Sequence, residues 1–359
     1  MSQALLLTVL RAPDTARGMT LAEWDLLLRQ ATSAQLTPAL VRLFDDLQQT
    51  ASLPAPVRAH LEWARVRMAR HAGAVRFELQ RIQAALAGSQ VPLLLLKGAA
   101  YSAAQVGPGH GRLFSDIDIM VPKARLADVE AALMLHGWVS SNHDAYDQRY
   151  YRQWMHEIPP LQHMRRHSVI DVHHAILPET ARVRPDPALL RGAAVEVPGL
   201  PGVQILAPAD MVLHSAVHLF YDGEFDKGLR DLVDLHRLLT QFGAIPGFWD
   251  TLPARALELQ LARPMFYALR YTTLLLGTAV PGHVVQALRA AAPNGLLMAL
   301  MDALFVRALQ PMHASCTDAF SSVARTLLYI RGNWLRMPPT LLARHLFHKA
   351  FITKSDTSV

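Results

Sequence analysis

Between residues 91 and 206 the apolar residues come in short unbroken or alternating runs; on both sides of that stretch they return at a spacing near 3.6. A hydrophobic period that switches twice along one chain limits the fold more than any single motif. A run that alternates every second residue presents one face as a strand and none as a helix. The pattern therefore predicts a β-containing centre with helices before and after it, an α+β protein with a mixed sheet flanked by helices.

The predicted strands cover residues 91–96, 113–121, 161–165, 168–176 and 203–206, with a short one around Val195 in the Pro- and Arg-rich connection 178–201. A short helix is predicted over 98–106, a loop at Gly107-Pro108-Gly109-His110-Gly111, and an amphipathic helix over 126–136 closed by Gly137. Upstream, 57–86 reads as a helix, with Pro54 and Pro56 at its start and Gly88-Ser89 at its end. Beyond Pro208 the helical period predicts 209–221, 229–242, 255–276 with a kink or split at Pro264, 283–291, 296–309, 319–330 and 340–351. The division is thus 1–90 helical, 91–207 α/β and 208–359 helical, with no internal repeat. A hydrophobic content of 51% against 18% charged supplies a large core and excludes a disordered chain.

Within the strand 113–121, Asp116 and Asp118 stand two residues apart among Phe114, Ile117, Ile119, Met120 and Val121. Residues i and i+2 of a strand share a face, so both carboxylates project together, roughly 7 Å apart at Cα. Like charges so placed repel each other and resist desolvation. A hard divalent cation with oxygen preference, Mg²⁺, relieves both problems. A third carboxylate, Asp171, lies in the apolar run Val169-Ile170-Asp171-Val172. If its strand pairs beside the first, three carboxylates converge, enough for two Mg²⁺ ions facing a triphosphate. An Asp-x-Asp on the solvated face of a strand is the alternative.

The order strand, Lys97-Gly98, short helix, Gly-rich loop and double Asp carries a resemblance. The segments LLLLKGAA, GRLFSDIDIMV and VIDVHHAI resemble the uncharacterised bacterial nucleotidyltransferases of the DNA polymerase beta-like superfamily, in the branch with Lys-Gly in place of Gly-Ser. LAPADMVLHSAVHLF and LRDLVDLHRLL are similar to that family's helical region, so the likeness spans about residues 90–242. It implies Asp116 and Asp118 as metal ligands and Asp171 as the third carboxylate, ligating metal or activating the acceptor hydroxyl. It implies that Gly98 meets the nucleotide phosphates and that Ser115 hydrogen-bonds one of them. Ala99 stands where the wider superfamily often carries Ser.

Other residues have two readings each. Lys97 neutralises a phosphate or is a solvated strand end. Arg112 binds phosphate bidentately or pairs with the aspartates. His173 orients the acceptor or is satisfied by a neighbouring carboxylate, and it shares the face of Asp171. His163 and His167 have zinc spacing on a helix, but residues 161–176 read as a hairpin with Arg165-Arg166-His167-Ser168 as its turn. His214, His218, Asp222, Asp231 and Asp234 form a solvated helix face or line the cleft. Trp154, Trp249 and Tyr221 stack a base or fill a core.

The excess of 35 basic over 29 acidic residues allows a phosphate ligand without identifying nucleic acid. A lone cysteine, Cys316, excludes an intramolecular disulfide and a cysteine zinc cluster. The longest apolar stretch, 295–309, is broken by Asp302 and Arg307, so no transmembrane segment is expected. The N-terminus has no secretory leader pattern, and a cytoplasmic location is expected. The basic tail 325–354, with Arg331, Arg336, Arg344, His345 and Lys349, is expected to pack with its basic face in water; peripheral membrane contact is the alternative.

The sequence thus predicts a Mg²⁺-dependent enzyme moving a nucleoside monophosphate from a nucleoside triphosphate to an acceptor that is a small molecule, protein or RNA. The alternative of another class is a non-catalytic nucleotide-binding or regulatory protein on a degenerate transferase scaffold. Loss of triphosphate binding in Asp118→Ala, with the fold intact, is the expectation at the site.

Overall fold

A computed structural model describes residues 4–140 and 145–338, with side chains from 148 in the second segment. Seven short strands form one sheet: β1 (Leu93–Leu95), β2 (Asp116–Met120), β3 (Trp138–Ser140), β4 (Leu161–His163), β5 (Val169–His173), β6 (Val195–Glu196) and β7 (Val203–Ile205). Their order is β3-β4-β5-β2-β1-β7-β6. The two pairs β2–β5 and β1–β7 are parallel; the other neighbours are antiparallel. The expected α+β class with a mixed sheet is what the chain adopts.

Helices flank the sheet. The longest, Ala55–Leu86, spans 32 residues, about 48 Å at the usual rise. Pro56 lies in its first turn, where a missing N–H costs nothing. Its Glu78 is buried and accepts from Arg166 Nε at 2.6 Å and from Ser168 Oγ at 2.9 Å, which fastens the helix to the β4–β5 turn. The helices Pro208–Tyr221 and Gly228–Phe242 pack against each other. One contiguous apolar core runs from Leu6 through the sheet to Leu328.

One expectation shifts and two elements were not expected. The helix expected over 255–276 is two, Phe248–Glu258 and Ala262–Leu276. The break falls at Gln260, whose φ is +60°, and Pro264 sits in the first turn of the second helix rather than inside a kinked one. The three-residue β3 and the helix Ala145–Trp154 had no periodic signal strong enough to predict them. The predicted helix 340–351 lies outside the described residues, as do Arg344, His345 and Lys349.

The tail turns its charge inward where it is described. On Ser321–Arg336, Arg331 donates to the Phe220 carbonyl at 2.8 Å and Arg336 pairs with Asp222, while Val323, Ile330 and Trp334 are exposed. The basic face expected in water is therefore partly a tether to the helix Pro208–Tyr221. No helix among the described residues is long and apolar enough to cross a membrane.

Candidate active site

The parallel pairing of β2 and β5 sets Asp118 directly beside Asp171, with Asp116 beside Val169 and Met120 beside His173. The period-2 pleat turns these residues to one face, while Ile117, Ile119, Ile170 and Val172 enter the core. One carboxylate oxygen from each of Asp116, Asp118 and Asp171 lies within 4.8 Å of the others. The three carboxylates predicted from the sequence do converge.

Asp118 is almost fully enclosed, and its Oδ1 accepts from Lys97 Nζ at 3.1 Å and from His173 Nε2 at 3.0 Å. Burial alone would raise its pKa; the ammonium and the imidazole outweigh it and hold the carboxyl well below the usual range. Lys97 is pushed down by burial and more strongly up by Asp118 and Glu157. Its backbone is left-handed, φ +43°, at the turn from β1 into the helix Lys97–Ala104, and that turn aims the ammonium at Asp118. Asp171 behaves oppositely. Burial, then the charges of Asp118 and Glu157, raise its carboxyl to about 7, and its Oδ1 is buried without a hydrogen-bond partner.

Three carboxylates gathered with one ammonium, one of them offering an orphaned buried oxygen, make an all-oxygen donor set with an excess of negative charge. That set fits a hard divalent cation such as Mg²⁺. Asp116, Asp118 and Asp171 are the residues that would hold it.

Asp116 and Asp118 open onto a cavity of about 930 Å³. Lys97, Arg112, Phe114 and Ser115 form the near wall. His60, Trp63, Ala64 and Arg67 form another, at helical spacing on one face of Ala55–Leu86. His218, Asp222, Lys227, Arg230 and Asp231 close the third side. Ser115 Oγ reaches Asp116 Oδ1 at 3.3 Å, at the edge of hydrogen-bond range.

Arg112 faces away from the carboxylates of the sheet. Its Nε donates to Asp234 at 2.6 Å, and a second nitrogen lies 3.6 Å from Asp231. Asp231 also pairs with Arg230 at 2.9 Å and His218 at 3.6 Å. Asp231, Asp234 and His214 are buried, so the helix face expected in water is a packed ionic seam that joins the loop after the helix Lys97–Ala104 to Gly228–Phe242. His218, Asp222 and Asp231 line the cleft as the alternative reading had it.

Gly98 is buried beneath Arg112 and Phe114, and Ala99 is fully enclosed. A Cβ on Gly98 would approach the Phe114 ring to 2.8 Å and meet the Arg112 guanidinium. Gly98→Ala is expected to lower stability by about 1–2 kcal/mol through overpacking, measured as a shift in urea midpoint.

His163 Nδ1 accepts from the backbone N–H of Arg165 and Arg166, which explains the hairpin without zinc. Tyr221 is buried and Trp249 packs edge-on against Phe248; Trp63, unremarked in the sequence, is the exposed aromatic ring on the cavity wall. No periodic or motif signal marks Glu157, whose Oε2 lies 3.3 Å from His173 Nε2, or its neighbour His156.

The mixed sheet thus gathers three carboxylates, two of which line a large cavity. The family model described as uncharacterised nucleotidyltransferase matches residues 20–277, and the chain belongs to that family. Among solved structures, the chain is similar to that of the antibiotic-resistance factor ANT(2'')-Ia, at 17% identity over 57% of this chain and 98% of that one, with a TM-score of 0.35. No curated protein matches the chain.

Proposed function

We propose that the protein transfers a nucleoside monophosphate from a nucleoside triphosphate to a hydroxyl or phosphate acceptor in a Mg²⁺-dependent reaction. The observation that carries this reading is the convergence of Asp116, Asp118 and Asp171, the first two of which line the cavity together with Lys97. The acceptor oxygen forms a bond to the α-phosphorus, the bond from that phosphorus to the bridging oxygen breaks, and pyrophosphate leaves with the electron pair.

Mg²⁺, two ions in this reading, supplies charge neutralisation of the triphosphate and activation of the attacking oxygen. The remaining work falls to this chain's residues. Lys97 and His173 keep Asp118 ionised and fixed in direction. Asp171, whose carboxyl is raised by burial and by Asp118 and Glu157, takes the acceptor's proton or ligates metal. Lys97 and Arg67 bring positive charge to the cavity, Ser115 contacts a phosphate, and Trp63 offers a face to the base. Arg112 and Gly98 act one step back: the arginine braces the Phe114–Ser115 segment against Asp234, and the glycine lets that segment lie close. In this division of labour the part 91–207 carries the chemistry, and the parts 1–90 and 208–359 wall the cavity.

The test is a thermal-shift titration with the four nucleoside triphosphates, with and without Mg²⁺. At least one triphosphate should raise the melting temperature, by RT ln(1 + [L]/Kd) of stabilisation, only when Mg²⁺ is present. Asp116→Ala should remove that response. Stabilisation by none of them, or an Asp116→Ala response equal to the parent's, would overturn the reading.

A further inference from the structure

A second group of metal-ligating side chains adjoins Asp118 through His173: one ligand atom from each of His156, Glu157 and His173 sits within 4.8 Å of the other two. We infer that these three residues form a separate site for a divalent transition-metal ion, of Zn²⁺ or Co²⁺ type.

The first support is unmet bonding capacity. Nδ1 of His156 and Nδ1 of His173 are both buried and have no hydrogen-bond partner. The two rings are 5.2 Å apart between centroids. His173 is only 2% exposed, so its free nitrogen has no recourse to bulk solvent. His173 Nε2 lies 3.0 Å from Asp118 and 3.3 Å from Glu157, and Nδ1 is the ring nitrogen without a partner.

The second support is rigidity. The backbone of 156–158 is laced to β5: Glu157 bridges His173, Ile158 N–H donates to Val172 at 3.1 Å, and the His156 carbonyl accepts from His174 at 2.8 Å. The donors are therefore carried by paired backbone rather than by a free loop.

Donor chemistry selects the ion. Two imidazoles and one carboxylate match three-ligand sites that keep a fourth position open, and nitrogen donors favour Zn²⁺ or Co²⁺ over Mg²⁺. Metal–nitrogen bonds of about 2.0–2.1 Å call for ligand atoms roughly 3.3 Å apart, so a modest inward rotamer adjustment completes the shell. The site stands independently of the transferase reading. Its consequence rests on that reading: an imidazole bound to metal on one nitrogen fixes its other N–H toward Asp118, the carboxylate–histidine–metal arrangement that orients a ligand.

The experiment uses the untagged full chain, stripped with chelator and held in excess Mg²⁺. Co²⁺ is titrated and followed by visible absorption, and Zn²⁺ by calorimetry. The parent should bind about one equivalent with Co²⁺ bands showing nitrogen ligation. His156→Ala should weaken binding by roughly 10–100-fold, as loss of a ligand or its support does. Asp116→Asn should stay within about twofold of the parent. Glu157→Gln, nearly the same shape, makes the same comparison if His156→Ala does not fold. No binding by the parent, unchanged binding in the ligand variant, or equal loss in Asp116→Asn would overturn the site. Because the readout is metal binding in saturating Mg²⁺, it can fail while triphosphate binding survives, and the reverse.

Discussion

Asp118→Asn is expected to weaken Mg²⁺-dependent triphosphate binding by at least about a hundredfold, about 2.7 kcal/mol, and to destabilise the protein as well. The first effect follows from removing one of three converging carboxylates. The second follows from what Asp118 holds. Lys97 and His173 both donate to its Oδ1, and neither cation-capable group has a better-placed anion. Stripping one partner from a buried pair costs about 3–5 kcal/mol; Lys97 keeps some solvent contact, 21% for its side chain, so about 2–3 kcal/mol is the reasonable figure here. The sequence-based expectation that a change at this position spares the fold is therefore revised by the structure. Asp116→Asn separates the two effects: Asp116 is half-buried, and among the described residues its side chain has one hydrogen bond, the long one from Ser115. It should lose binding comparably with a stability change under about 1 kcal/mol. Lys97→Met placed on Asp118→Asn should recover part of the stability and none of the binding. Calorimetric titration with a triphosphate in Mg²⁺ and urea unfolding of the same samples read both quantities. Retention of parental affinity by Asp118→Asn would remove the carboxylate cluster from the nucleotide site.

Why the acidic cluster was legible and its surroundings were not is a matter of distance along the chain. Asp116 and Asp118 announce themselves by breaking a strand's apolar alternation, and Asp171 by doing the same in the next β-rich run. Strand register then needs only the hydrophobic pattern, since slipping by one residue would bury the charges. Arg112 is different. Its partners, Asp231 and Asp234, lie on a helix more than a hundred residues later, and no local period says which acid an arginine will meet. Glu157 and His156 follow a helix and precede Pro159-Pro160, a stretch too short to carry any period; their backbone pairing with β5 is what brings them to His173. The cavity wall built by Trp63 and Arg67 was hidden for a similar reason: helical spacing identifies which residues share a face, but not which face looks onto a ligand.

Asp171→Asn should make the metal-free protein more stable at pH 8 while removing its response to Mg²⁺. In the unfolded chain this carboxyl titrates near 3.9; in the folded protein burial and the neighbouring Asp118 and Glu157 raise it to about 7. Between those values the folded state binds more protons than the unfolded state, so stability is lost as pH rises from about 4 to 7 and stays lost above. Three pH units correspond to about 4 kcal/mol at most; relaxation and water entry reduce that, and a gain of about 2 kcal/mol for the neutral amide at pH 8 is expected. Near pH 4 the parent carboxyl is already neutral in the folded state, and the two proteins should unfold at nearly the same urea concentration. Mg²⁺ reverses the order at pH 8, because the ionised carboxylate gains a cation and the amide does not. The same titration makes Mg²⁺ affinity of the parent rise by up to about tenfold per pH unit below 7 and level off above it, a slope that Asp171→Asn should lose. A variant less stable than the parent at pH 8 without metal would mean that Asp171 is already stabilised as an anion by the protein alone. In that case the orphaned oxygen on β5 would not be the place where positive charge is missing.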